Sequence, residues 1–310
     1  MDSLLVGLAA ALSFVFGWNN SSLLIGNVRG SGTLSRGTIV ALAVVGLFLG
    51  SVLEGPKMVG SLVGLAPSAP FAALAATIVV SLILTVTMTL LDLPVSFSMV
   101  MVGAFIGATL ASTLALNGYR TSEVVVFWFA APLGTGVLTY AIYSLARKLT
   151  SGLGILGVDV LNKAGSFVSA FAASYTLGAN NIGMFYGSLG ASADLEVQTE
   201  VFVLLAAAAI VGVAVLGQNS LGGVVGDRML TLSPQGVFSA FISSSLLVWV
   251  GTQLALPVSI TQCLIGGMLG AALSRNVAIV NKRLVTETVS LWVVAPVVAV
   301  AASFLLTLAL

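Results

Sequence analysis

The sequence has no histidine and a single cysteine, Cys263, which lies inside an apolar run. Without histidine, zinc-protease motifs and His-based catalytic triads are excluded. One cysteine excludes a disulfide framework. Charge is nearly as scarce. Only 7% of the 310 residues are charged and 58% are hydrophobic, whereas soluble domains carry about 25% charged residues. Such a polymer cannot cover itself with a water-facing surface, so its surroundings must be a lipid bilayer. The net charge of +1 argues against a nucleic-acid partner. No basic residue precedes the first apolar stretch. A cleaved signal peptide carries a positive leading region, so Leu4 onward is read as a membrane segment.

What the chain does have is apolar length. The runs Phe71 to Leu91 and Glu200 to Gly217 each approach the roughly 20 residues that cross a bilayer core as a helix. They do not alternate polar and apolar residues as barrel strands do. Hydropathy predicts about five spans per half. These are 3–27, 37–54, 71–91, 93–116 and 122–146, then 153–177, 200–217, 233–252, 256–274 and 286–309. The short Gly-rich segments 56–67 and 219–230 are candidates for re-entrant or interfacial helices.

The chain repeats itself. Gly17-Trp18-Asn19-Asn20 returns as Gly178-Ala179-Asn180-Asn181, and Leu93-Pro94-Val95-Ser96 as Leu256-Pro257-Val258-Ser259. Gly103 and Gly107 return as Gly266 and Gly270. Glu123, Trp128 and Pro132 return as Glu287, Trp292 and Pro296. The blocks keep their order at nearly constant separation, which chance rarely gives. The halves are 1–150 and 151–310, with the seam near Thr150-Ser151-Gly152.

An odd number of spans per half turns the second half over. With the N-terminus on one side, the opposite side receives Arg29, Arg36, Arg147, Lys148, Arg228, Arg275, Lys282 and Arg283. The first side receives Lys57 and Arg120, and Lys163 lies within a span. The excess of basic residues marks the cytoplasmic side. The expectation is an all-α, multi-pass protein of the cell membrane, with two inverted repeats, broken or re-entrant helices and both termini extracytoplasmic. That plan is common among transporters. A homo-oligomer is compatible with it, though no residue specifies one.

Polar clusters inside apolar spans mark candidate sites. Gly17-Trp18-Asn19-Asn20-Ser21-Ser22 and Gly178-Ala179-Asn180-Asn181 combine poor helix formers that tolerate left-handed backbone. The expectation is a broken helix at each, its freed backbone groups lining a cavity. The bland alternative is interhelical glue, which is less expected for two clusters at matching repeat positions. The second pair is Pro94-Val95-Ser96-Phe97-Ser98 and Pro257-Val258-Ser259-Ile260-Thr261-Gln262. Proline suits the first turn of a helix, where hydroxyls beside open N–H groups suit an oxyanion. An ordinary Pro-started span, with hydroxyls bonding back to carbonyls, is the alternative. The candidate substrate-binding residues are Asn19, Asn20, Ser21, Ser22, Ser96, Ser98, Asn180, Asn181, Ser259, Thr261 and Gln262.

Glu54 with Lys57, and Asp159 with Lys163, stand at pairing distance on a helix and read as structural ion pairs. Gly152-x-Gly154-x-x-Gly157 fits a dinucleotide pattern, but no strand precedes it. Gly103-x-x-x-Gly107 and Gly266-x-x-x-Gly270 read as close-packing patches.

These motifs resemble the inorganic phosphate transporter (PiT) family. Gly17-x-Asn19-Asn20 and Gly178-Ala179-Asn180-Asn181 are similar to its repeated Gly-Ala-Asn-Asp signature. The two Leu-Pro-Val-Ser blocks, each followed by Gly-x-x-x-Gly, resemble its Pro-Val-Ser-Thr-Thr-His segments, and the Trp…Pro pairs fit as well. The resemblance covers nearly the whole chain. It implies secondary transport of phosphate, or in some members sulfate, driven by sodium or protons, with no other cofactor.

The departures bear on mechanism. Asn20 and Asn181 stand where the family has Asp, and Phe97-Ser98-Met99 and Ile260-Thr261-Gln262 where it has Thr-Thr-His. Asparagine does not titrate, so proton coupling at those two positions is excluded. Sodium would have to find neutral oxygens, from Asn19, Asn20, Asn180 and Asn181 or from backbone. Asn amides, hydroxyls and helix N-termini also supply donors that suit sulfate. Yet an Asn carbonyl can accept the proton that phosphate keeps. The expected activity is a cation-coupled oxyanion permease working by alternating access, phosphate first and sulfate second. An uncoupled anion channel is the other transport reading. An intramembrane enzyme is disfavoured by the missing histidine, single cysteine and few paired carboxylates.

Overall fold

A computed structural model describes residues 3–66, 69–91, 93, 95–190, 198–216, 232–275 and 281–310. At 21–24, 26–27, 29–30, 216, 275, 282 and 284 it describes the backbone only. The expected segment 219–230, along with Asp92, Pro94 and Arg228, therefore lies outside the described residues.

The described residues are helical, without strands. The first half has α1 (Ser3–Gly30), α2 (Arg36–Glu54), a 3-10 turn (Gly55–Met58), α3 (Gly60–Val63), α4 (Phe71–Leu90), α5 (Phe97–Ala111) and α6 (Gly118–Thr150). The second has α7 (Ile155–Gly187), α8 (Thr199–Leu216), α9 (Pro234–Gln253), α10 (Ile260–Arg275) and α11 (Lys282–Ala309). Starts follow local chemistry. Ser35 and Asn117 cap α2 and α6 by accepting from Thr38 N and Arg120 N, and Ser233 caps α9 ahead of Pro234. Among the described residues, seven helices are long and apolar enough to cross a membrane, and 97–111, 199–215 and 260–274 are shorter apolar helices.

The short ones matter. α5 has 15 residues and α10 has 16, so each reaches only about 23 Å against a hydrocarbon core of about 30 Å. Each is the second arm of a hairpin, packed on α4 or α9. The breaks in transmembrane continuity therefore fall at Leu93, Val95 and Ser96, at 256–259, and at the turn 55–58.

They do not fall at the asparagine clusters. α1 and α7 run unbroken through Gly17–Asn20 and Gly178–Asn181. The glycines there serve close approach, not chain reversal. A Cβ on Gly17 would lie 1.9 Å from Ala209 O, and one on Gly178 would lie 2.2 Å from Leu47 O. The second asparagine of each cluster bonds within its own helix. Asn20 Nδ2 donates to Phe16 O at 3.0 Å and Asn181 Nδ2 to Leu177 O at 2.9 Å.

The repeats interlock. α2 packs on α7 and α1 on α8, while α5 packs on α11 and α10 on α6. Each Gly-x-x-x-Gly patch seats on the proline-containing helix of the other half. A Cβ at Gly103 would meet Pro296 O at 2.6 Å and one at Gly107 Val300 O at 2.1 Å. One at Gly266 would meet Pro132 O at 2.1 Å and one at Gly270 Gly136 O at 2.0 Å. Without a hydrophobic drive between helices in lipid, such contact supplies dispersion energy. The surface matches that solvent: Ile155 and Val137 are among many exposed aliphatic side chains, while Thr77, Ser81 and Ser243 are buried and bond to carbonyls one turn back.

The anticipated ion pairs form, Glu54–Lys57 at 3.6 Å and Asp159–Lys163 at 2.8 Å. Lys57 also reaches Gln253 Oε1 at 2.7 Å, and Arg120 reaches Leu254 O at 3.3 Å, so these two basic residues share one end of the bundle. Arg147 lies at the other end, on Ser274 O.

Candidate functional site

Both hairpin tips meet α7. The tip of the second is tied down by Asn180, which is fully buried. Its Nδ2 donates to Thr252 Oγ1 at 3.0 Å and to Leu256 O at 3.1 Å, and its Oδ1 accepts from Val258 N at 3.0 Å. Thr252 in turn donates to Val248 O. The first half repeats the device. Asn19 Nδ2 donates to Thr89 Oγ1 at 2.7 Å, and Thr89 donates to Thr85 O. The first asparagine of each signature therefore reads as a fastener for a hairpin, and both amide hydrogens of Asn180 are engaged.

The second asparagines differ. Asn20 and Asn181 are buried and each turns its amide nitrogen onto its own helix. The orientation is fixed chemically, because an amide oxygen facing that carbonyl would be repelled. Among the described residues, their Oδ1 atoms accept no hydrogen bond. These residues thus present an amide oxygen, beside the one amide hydrogen that the intrahelical bond leaves over. Phe16 and Phe185 are in contact, with ring centroids 5.1 Å apart. α1 and α7 run oppositely, so Asn20 and Asn181, one turn from those rings on the same side, stand at one level.

Donors come from the tips. Ser96 precedes α5 and accepts from Met99 N, with Ser98 Oγ 3.3 Å from Ser96 Oγ. Ser259 accepts from Gln262 N at 3.1 Å. Ser96, Ser98, Ser259, Thr261 and Gln262 are all buried. Gln262 is only 1% exposed, and among the described residues neither its Nε2 nor its Oε1 has a partner. The side chains of Ser21 and Ser22 lie outside the described residues. Phe97, between Ser96 and Ser98, stacks edge-on against both Phe16 (5.0 Å) and Phe185 (5.1 Å). That trio brings the first tip to both signature helices, and Asn180 brings the second.

Three features escaped the sequence reading. The Thr89 and Thr252 hydroxyls each precede a Leu-Pro-Val-Ser block by the same interval, a repeat signal that was available. The aromatic trio has no such signal, because its repeat counterparts are Leu177, Ile260 and Leu24. The contacts of Glu54 with Gln253 (2.9 Å) and Trp249 (3.3 Å) join distant helices and have no local pattern. Trp128, by contrast, was singled out by the repeat, and its indole donates to Pro257 O at 3.0 Å.

Inverted repeats, paired hairpins and polar tips buried among apolar helices define a multi-pass membrane transport fold. A sequence model of the phosphate transporter family matches residues 16–160 and again 157–303, and the chain belongs to that family. A Methanocaldococcus jannaschii protein provisionally named a phosphate permease is 28% identical over 95% of this chain and 93% of its own length. The sulfate permease CysP of Bacillus subtilis is 26% identical over 96% of this chain and 86% of its own. A solved structure described as the sodium-dependent phosphate transporter superposes with a TM-score of 0.83, covering 98% of this chain and 97% of that one. At 17% identity, this last likeness concerns the fold.

Proposed function

We propose that the chain is a cation-coupled permease for an inorganic oxyanion, phosphate first, working by alternating access in the cell membrane with both termini outside. The carrying observation is the division of chemistry at the site. Donors gather at the two hairpin tips, where Ser96, Ser98, Ser259, Thr261 and Gln262 flank the first turns of α5 and α10. Oxygens without partners among the described residues sit on Asn20 and Asn181. Helix N-termini favour anions, and neutral amide oxygens suit a hard cation such as sodium. Proximity of a cation to the anion would offset charge at a site that carries none at Asn20 and Asn181. Ser96, Ser98, Ser259 and Thr261 hold the oxyanion, and Asn20 and Asn181 the coupling ion. Asn19 and Asn180 keep the tips in place.

The family supports phosphate. Sulfate is the second reading, supported by the match to CysP along nearly the whole chain. The test is uptake of radiolabelled phosphate and sulfate into liposomes under imposed sodium and proton gradients. Sodium-dependent phosphate accumulation is expected. Downhill flux indifferent to both gradients would instead mean a channel.

A further inference from the structure

Gln262 is a polar side chain at the site whose amide nitrogen and oxygen both lack a partner among the described residues. It stands in the first turn of α10, where its backbone N–H bonds to Ser259 Oγ at 3.1 Å. Ser259-x-x-Gln262 has the spacing of a capping box, in which the glutamine side chain would reach back to the serine N–H. Only the serine half is formed. The amide is 1% exposed, yet among the described residues both its nitrogen and its oxygen are unpaired. The hairpin does not require this amide, because the equivalent position of the first hairpin is Met99, which is equally buried. A buried amide with two open edges is unfavourable unless a ligand meets both.

We propose that Gln262 sets the class of anion, selecting a tetrahedral oxyanion that still carries a proton over one that is fully deprotonated. This rests on the transport reading above. The amide presents a donor edge, Nε2, and an acceptor edge, Oε1. Hydrogen phosphate and hydrogen arsenate carry both bare oxygens and an O–H, so one ligand satisfies both edges. Sulfate and selenate carry bare oxygens alone. They pair with Nε2 and leave Oε1 facing negative charge. Rejection by such an unmatched group is how buried polar sites discriminate. Because the reading group is an amide, it needs no titration of its own.

The test uses the full-length chain in liposomes, comparing phosphate with sulfate uptake and arsenate with selenate as competitors. The wild type is expected to prefer phosphate and to be inhibited by arsenate far more than by selenate. Gln262→Met, which copies the first hairpin, should lower the phosphate-to-sulfate ratio by roughly tenfold or more. Gln262→Glu, which keeps an acceptor, should hold the preference and suppress sulfate further. An unchanged ratio in an active Gln262→Met protein would overturn the proposal, since the amide would then be satisfied by something other than the anion. If that variant does not fold, the wild-type competition decides: equal inhibition by selenate and arsenate overturns the proposal. A wild type that carries both anions equally refutes the role of Gln262 and leaves the permease reading intact. A wild type that carries neither removes both.

Discussion

Adjacent asparagines on α7 should fail in opposite ways when truncated. Asn180→Ala removes the amide that holds Thr252 Oγ1, Leu256 O and Val258 N at 3.0–3.1 Å. Two backbone groups, the Leu256 carbonyl and the Val258 N–H, lose this partner in a fully buried place. An orphaned buried group costs about 1–3 kcal/mol. Hydrogen bonds measured inside membranes run weaker, near 0.6 kcal/mol on average. A loss of about 2–4 kcal/mol is therefore expected. Asn181→Ala removes a single bond to Leu177 O, a carbonyl that keeps its helical partner, so about 0–1 kcal/mol is expected. Denaturation midpoints of the two variants, followed side by side in the same detergent, would show it. Asn180→Ala should be clearly the less stable, with its residual uptake tracking the folded fraction. Asn181→Ala should stay folded and lose its dependence on the cation gradient. Equal midpoints, or the reverse order, would refute the assignment of Asn180 as a fastener.

Gly107→Ala and Gly270→Ala should each lose about 1–3 kcal/mol by pushing helices apart, since a Cβ would sit 2.1 Å from Val300 O and 2.0 Å from Gly136 O. Gly7→Ala, with nothing within 4 Å, should gain up to about 1 kcal/mol from helix propensity, and melting in detergent separates the two outcomes. Ala255 turns the second hairpin at φ 52, a left-handed conformation that glycine adopts freely, so Ala255→Gly should hold or raise the midpoint; a fall would mean the methyl group is packed. In a Cys263→Ala background, joining Glu54→Cys to Gln253→Cys with a reducible reagent should stop uptake reversibly. Undiminished uptake would show that this end of the second hairpin does not move. Single cysteines at positions 36 and 282 should be labelled only from the cytoplasmic side, and labelling of position 36 in intact cells from outside would reverse the topology.

The fold was legible because its rules are periodic. Hydropathy placed spans such as 71–91 and 233–252 against helices Phe71–Leu90 and Pro234–Gln253, and self-similarity marked the two copies that the family model also matches. The reading failed where one residue type serves two ends. Glycine and asparagine at Gly17–Asn20 suggested a break, yet Gly17 is there because Ala209 O lies against it. Helix-helix approach leaves no mark along the chain that separates it from chain reversal. The orientation of an amide is likewise invisible in sequence. Asn180 and Asn181 are the same letters, yet one holds a neighbouring loop and the other its own helix. Gln262 was legible as a candidate from its place after Pro257. That both its edges are open appears only when every neighbour is in place.

The repeat explains the scaffold and its violations mark the site. Glycine, proline and tryptophan positions are shared between halves because both hairpins must seat on a facing helix at the same distance. The tips are not shared. The first carries Phe97 and Met99 and is held by an aromatic trio, a contact without strict direction, and by the bond from Asn19 to Thr89. The second carries Ile260 and Gln262 and is held by directional bonds from Asn180, with Lys57, Glu54 and Arg120 bonded to Gln253, Leu254 and Ala255 at its base. A group that reads an anion's proton must be held within a fraction of an ångström of its working geometry. Directional bonds give that definition and apolar stacking does not. The unpaired amide thus sits on the hairpin that Asn180 bonds at three points.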